Sequence, residues 1–242
     1  MLGSLLDRIF VAYSNRNGSL PPQIEHYSFR NGNDSTNWVC FIPEFCYHIP
    51  SIRKRIIPEG VNLDVYVLPK TIVQPNPELT RLFLDDVLMA ATQNQTKHYS
   101  GKEVNVLGIS LGNVLSFRFA EQIQVNKLLS IVPGSRLAEC IWESIATNPI
   151  AENSGRSLQD YQKSLANYNP IESVSKINPL VSEIYLGGRD LMIPTKRGKE
   201  LAQAMQEKVK VNMKYHRFSG HVETVVSFSK KFHKIVHNSV SS

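Results

Sequence analysis

Val104-Asn105-Val106-Leu107-Gly108-Ile109-Ser110-Leu111-Gly112-Asn113-Val114-Leu115-Ser116-Phe117 is the stretch that decides the fold. The apolar run from Val104 to Leu107 reads as a buried strand, and Asn113 to Glu121 follows a helical period. The pentapeptide between them leaves room for only a tight strand-to-helix turn. Glycines two positions either side of Ser110 let the backbone fold that sharply without a Cβ clash. The serine hydroxyl then stands exposed at a strand end, beside the first N–H groups of a helix.

Working outward, strands and helices alternate along most of the chain. Trp38 to Ile42, Leu63 to Leu68, Glu103 to Leu107, Lys127 to Val132, Val181 to Leu186 and Lys210 to Tyr215 are β-rich apolar runs. Glu25 to Phe29 is a further, weaker strand. Helices are expected from Tyr47 to Ile57, from Pro77 to about Gln95 with Leu79, Leu82, Phe83, Val87 and Leu88 on its apolar side, from about Thr195 to Lys208, and from Val222 to His237. The pattern predicts one α/β domain over residues 1–242: a mostly parallel sheet between two helical layers. Residues 134–179 interrupt the rhythm without a convincing strand, as a helical lid or cap would.

A serine hydroxyl is a poor nucleophile at neutral pH and needs a neighbouring base, itself oriented by an acid. Two later strand ends supply both. Asp190 closes Leu186-Gly187-Gly188-Arg189-Asp190 ahead of Pro194, and His221 follows Ser219-Gly220 just before the last helix. Each has a structural alternative: Ser110 as a helix N-cap, Asp190 as a cap for the helix near Pro194, His221 as a loop histidine. Glu139 and Glu143 are the alternative acids, and His48 a candidate pocket residue. His26, His98, His216, His233 and His237 lie at less suitable places.

With three motifs in this order, Gly108-Ile109-Ser110-Leu111-Gly112, Gly187 to Pro194 and Ser219-Gly220-His221, the chain resembles the α/β-hydrolase superfamily of esterases and lipases over roughly Trp38 to His237. The resemblance implies an α/β-hydrolase fold and a catalytic triad of Ser110, Asp190 and His221. It also implies an oxyanion hole from the backbone N–H groups of Leu111 and Phe45. The expected activity is carboxylic-ester hydrolysis of a small-molecule acyl substrate, without metal or organic cofactor. A thioesterase, amidase or acyltransferase would use the same triad, and a non-catalytic binding protein the same fold. The loop Ile42-Pro43-Glu44-Phe45-Cys46 departs from the glycine-containing pattern common at the second oxyanion donor. It brings a carboxylate toward a site that must hold negative charge.

Composition fits this reading. Apolar residues make up 42% and charged residues 20% of 242 residues, as in a soluble globular chain. The formal charge is +6, but the basic residues are scattered and no nucleic-acid motif accompanies them. No apolar run is long enough to span a bilayer and no secretory signal is visible. Three cysteines without metal-type spacing suggest reduced thiols and a cytoplasmic setting. Leu2, Leu5, Leu6, Ile9, Phe10 and Tyr13 share one helical face, which suits a docked helix, or else peripheral membrane contact by residues 1–13.

Overall fold

The computed structural model describes residues 24–30, 36–48 and 61–240, with side chains as far as 232. The strands are β1 (Glu25–Phe29), β2 (Asn37–Pro43), β3 (Asn62–Leu68), β4 (Val104–Ile109), β5 (Lys127–Ile131), β6 (Val181–Gly187) and β7 (Val211–His216). They form a seven-stranded sheet in the order β1-β3-β2-β4-β5-β6-β7. Only β1 runs antiparallel, against β3; every other pairing is parallel. The helices are α1 (Glu44–Tyr47), α2 (Pro77–Tyr99), α3 (Gly112–Gln122), α4 (Leu137–Glu143), α5 (Asn148–Glu152), α6 (Leu158–Leu165), α7 (Pro170–Ser173), α8 (Thr195–Gln206) and α9 (His221–Val240). Residues 134–179 carry α4 to α7 and no strand.

Both faces of the central strands are covered, which is why β2 and β3 are buried at every position. On one face Val39, Phe41, Tyr66 and Val106 pack with Phe83, Leu84 and Val87 of α2, Leu115 and Phe119 of α3, and Leu201 of α8. On the other, Trp38, Cys40, Ile42 and Leu107 pack against Tyr47 of α1 and Val225, Phe228 and Phe232 of α9. This is the three-layer α/β/α architecture that the alternation of elements predicts.

Several boundaries differ from expectation for local reasons. β4 runs two residues beyond Leu107 because Gly108 and Ile109 still pair with Ser130 and Ile131 of β5. In α2 the inward face is Thr80, Phe83, Leu84, Val87, Leu88 and Ala91, whereas Leu79 and Leu82 are about half exposed. Each of those two leucines sits one position before a residue of the buried face, Thr80 and Phe83, and so about 100° round the helix from it. Asn76 caps α2 by accepting the Glu78 N–H at 3.2 Å, and Pro77 occupies the first turn as expected. The segment 1–13, the loop 14–22, the turn 31–34 and most of the helix expected up to Ile57 lie outside the described residues. Among the described residues no helix is long and apolar enough to cross a membrane.

The edge carrying β1 is held by a buried carboxylate. Asp64 on β3 lies 2.8 Å from His26 Nε2, and accepts from Arg30 Nη2 at 3.0 and 3.1 Å and from the Tyr99 hydroxyl at 2.8 Å. Burial alone would raise its pKa, but the hydrogen bonds from His26, Arg30 and Tyr99 outweigh burial and hold it at about 2. The folded value lies below that of the unfolded chain. The ionised group therefore stabilises the fold fully above about pH 4, by roughly 2 kcal/mol, and loses that contribution as the pH falls toward 2. Asp64→Asn is expected to lower stability at neutral pH in urea unfolding, with the gap to wild type narrowing at about pH 3. A gap of the same size at both pH values would show that Asp64 ionisation is not what holds the edge.

The chain reverses direction across the sheet at β2. From β2 it moves outward to β3, then returns to the opposite side of β2 to lay down β4. In open α/β sheets such a switch point leaves a crevice at the carboxyl ends of the two strands that flank it. Here those ends are Pro43, followed by Glu44 and Phe45, and Ile109, followed by Ser110.

Candidate active site

Ser110 adopts φ of +54°, a left-handed conformation that non-glycine residues rarely hold. Three hydrogen bonds fix it there. Its N–H donates to the Ile131 carbonyl at 2.8 Å, continuing the β4–β5 ladder past the strand end. Its carbonyl accepts from the Asn113 N–H at 3.0 Å and from Asn113 Nδ2 at 2.9 Å. Asn113 Nδ2 also reaches the Ile131 carbonyl at 2.9 Å, so one wholly buried side chain staples the turn to the end of β5. The two flanking glycines are required by packing. A Cβ at Gly108 would stand 2.8 Å from the Asn113 main chain, and one at Gly112 would overlap the Phe41 carbonyl of β2. Leu111, in right-handed helical conformation, leads directly into α3.

Asp190 follows β6 in a turn and is 6% exposed. One carboxylate oxygen accepts the Met192 and Ile193 N–H groups at 2.9 and 2.7 Å. The other lies 2.8 Å from His221 Nδ1. With the proton on Nδ1, His221 donates to the carboxylate and Nε2 becomes the basic nitrogen. Asp190 therefore caps its own turn rather than α8, whose N-cap is Pro194. Glu143 is engaged elsewhere, with Arg197 at 2.7 and 3.1 Å and Lys196 at 2.9 Å. Burial alone would raise the Glu143 carboxyl, but these partners hold it below its usual value. Glu139 accepts from Gln162.

His221 is completely buried at the start of α9. The loops carrying Asp190 and His221 are joined along their backbones: the Gly188 N–H donates to His216 O at 2.9 Å, and Arg189 N–H to Ser219 O at 3.0 Å. Gly188 has to be small, because a Cβ there would run into the Arg217 carbonyl. Thr195 Oγ1 holds the Gly187 carbonyl at 2.6 Å, and Thr224 Oγ1 the Gly220 carbonyl at 2.7 Å.

The loop after β2 tightens into α1, and its Phe45 ring lies 6.2 Å from the His221 ring. The Glu44 carboxylate is drawn toward the next loop, where it accepts the Lys70 N–H at 3.0 Å. That contact gives the glutamate a hydrogen-bond donor of its own. Pro43, Glu44, Phe45, Ser110 and Leu111 all border one cavity of about 490 Å³. Ile72, Val73 and Val114 form part of its wall, and Leu137, Ile141 and Ile150 enter from the 134–179 segment. His48 stands at an exposed margin, as a pocket residue rather than a partner of Asp190.

Cys40, Cys46 and Cys140 are free and buried, and burial pushes the thiols up, that of Cys140 to about 12. Among the described residues no group of His, Cys, Asp and Glu side chains is gathered to hold a metal ion. Sequence reasoning missed Asn113, whose role depends on a carbonyl 18 residues away. It also missed Val132, a β-branched residue with φ of +47° at the end of β5. No local pattern marks either one.

No family model matches the chain, and no curated protein matches it in sequence. Solved structures do match. An esterase of Pyrococcus furiosus superposes with a TM-score of 0.59 at 14% identity, covering 90% of this chain and 85% of that one. A puromycin-hydrolyzing peptidase of Mycobacterium tuberculosis gives 0.61 at 13%, covering 90% of this chain and 39% of that one. For an acylaminoacyl peptidase of Pyrococcus horikoshii the values are 0.54 and 8%, with 90% and 41% covered. The chain has the α/β-hydrolase fold.

Proposed function

We propose that the chain is a serine hydrolase that cleaves carboxylic esters. The observation that carries this reading is the 2.8 Å contact between His221 Nδ1 and an Asp190 held by two backbone N–H groups, together with a left-handed Ser110 on a cavity wall. In the proposed reaction Ser110 Oγ attacks the acyl carbonyl while His221 Nε2 takes its proton. Asp190 orients the imidazole and stabilises the imidazolium. The carbonyl oxygen gains negative charge and is held by the N–H groups of Leu111 and Phe45. Collapse returns the proton to the leaving alcohol. Water, deprotonated by His221, then releases the acid from the acyl-enzyme.

An amide bond is the second reading, since two of the matching folds belong to peptidases. The largely apolar cavity wall favours an ester with an aliphatic acyl group over the polar backbone of a polypeptide. Labelling with a fluorophosphonate separates catalysis from mere binding: wild type should label and Ser110→Ala should not. A folded wild type that stays unlabelled would leave only a binding protein.

The oxyanion role of Phe45 rests on its main chain, so it is tested there. Phe45→Ala keeps the N–H, whereas Phe45→Pro removes it at the second position of a helix, where proline is tolerated. The proline variant is expected to lose about 10²- to 10³-fold in kcat relative to the alanine variant. Equal rates in the two variants would move the second donor elsewhere.

A further inference from the structure

The 134–179 segment supplies one side of the cavity, and it is tied to the body of the protein on both flanks. Toward α8, Glu143 takes the Arg197 guanidinium, Ser135 Oγ donates to Glu200 at 2.6 Å, and Arg136 reaches Glu200 at 3.3 Å. The Ile145 N–H donates to the Leu191 carbonyl at 3.1 Å, joining the segment to the turn that holds Asp190. Toward α2, the Tyr161 hydroxyl donates to the carbonyls of Gln74 and Pro75, both at 3.1 Å. Tyr168 donates to Asp85 at 2.6 Å. Tyr161 and Leu165 are completely buried between these anchors. Lifting the segment would break these bonds and expose the buried Tyr161 and Leu165 side chains to water, which costs the apolar burial they now have.

The cavity under this segment has a sided chemistry. Its buried wall is aliphatic: Val73, Val114, Leu137 and Ile141 are each less than a tenth exposed. Exposed His48 and Lys70, with half-buried Glu44, form the margin that faces water. A volume of about 490 Å³ is enough for an ester with one chain of intermediate length and too little to enclose a long-chain triacyl lipid.

We propose that residues 134–179 form a fixed roof, making the cavity a slot of set depth for the aliphatic acyl chain of a dissolved monoester, with Ile141 and Ile150 limiting chain length. This rests on Ser110 being the nucleophile. A roof anchored on both flanks needs no lipid surface to open it, so the enzyme acts on monomeric ester and not on aggregates.

The test uses p-nitrophenyl esters from acetate to palmitate. Wild-type kcat/KM is expected to rise by up to about fourfold per methylene as far as octanoate, the equivalent of about 0.8 kcal/mol each, and to fall for palmitate. The rate on butyrate should saturate smoothly through the solubility limit. Ile150→Phe, checked for folding by circular dichroism, should lower the octanoate-to-butyrate ratio by about tenfold or more, because its ring occupies the slot. Calorimetric titration of decanoate into Ser110→Ala reads the slot without the chemistry. Decanoate binding together with an inactive wild type would support the slot and sink the catalytic reading. An active wild type with no gain per methylene, an unchanged ratio in folded Ile150→Phe, or a jump in rate at the solubility limit would overturn the roofed slot and leave the catalytic reading standing.

Discussion

Replacing Ser110 by alanine is expected to lower kcat on p-nitrophenyl butyrate by about four to six orders of magnitude. His221→Ala should cost a similar factor, and the double variant little more than either single one. The reason lies in how the three groups depend on one another. Without His221 the Ser110 hydroxyl keeps its proton, and without Ser110 the imidazole has no nucleophile to activate. What remains in each variant is binding and oxyanion stabilisation, so the losses do not add. Steady-state kinetics of the three proteins, with their folding checked by circular dichroism, measure this directly. A Ser110→Ala protein that kept about a tenth of the wild-type rate would remove that residue from the reaction. Losses that multiplied in the double variant would mean that Ser110 and His221 act in separate steps.

The largest effect on stability is expected at Gly112. It opens α3 where that helix crosses β2, and an added methyl would occupy the space of the Phe41 carbonyl. Phe41 lies in the middle of the sheet, hydrogen-bonded through β2 to β3 and β4, so its main chain cannot retreat alone. Nor can α3 move outward without disturbing Phe117 and Phe119, both completely buried. Gly112→Ala is therefore expected to cost about 3 kcal/mol or more, lowering Tm by roughly 6–12 °C. Gly155→Ala is the control. Gly155 has φ of +69° but no atom within 4 Å of its would-be Cβ, so it carries only the left-handed penalty of about 1–2 kcal/mol. Equal melting shifts for the two variants would show that the crossing of α3 over β2 has more slack than the packing indicates.

Much of this was legible in the chain because the features concerned are local. A parallel strand buried on both faces announces itself as an apolar run, and Val104 to Ile109 does so. The turn at Ser110, the strand-end position of Asp190 and the loop position of His221 follow from where such runs stop. What stayed hidden depends on partners distant in sequence. The exposure of Leu79 and Leu82 is decided by which side of α2 meets the sheet, and the helix carries apolar residues on more than one side. Asp64 reads as an ordinary polar residue within a strand until His26, Arg30 and Tyr99 converge on it. The Glu44 carboxylate looked like an obstacle at the oxyanion loop because its hydrogen bond to the Lys70 N–H joins two separate loops. Asn113 acts on a strand that ends 18 residues further on.

The two backbone bonds that join the turn after β6 to the loop after β7 bear on how the molecule would come apart. Gly188 to His216 and Arg189 to Ser219 extend the outermost ladder of the sheet into the loops that carry Asp190 and His221. Ser110 sits near the centre, between β4 and β5. Asp190 and His221 are thus expected to open together at the rim, apart from Ser110 at the middle. Fraying that begins at β7 would withdraw Asp190 and His221 together from the end of the sheet that carries Ser110, while the core around Phe41 and Phe119 stayed folded. For the proposed enzyme, the loss of activity on warming is expected to record the opening of an edge, ahead of the melting of the whole.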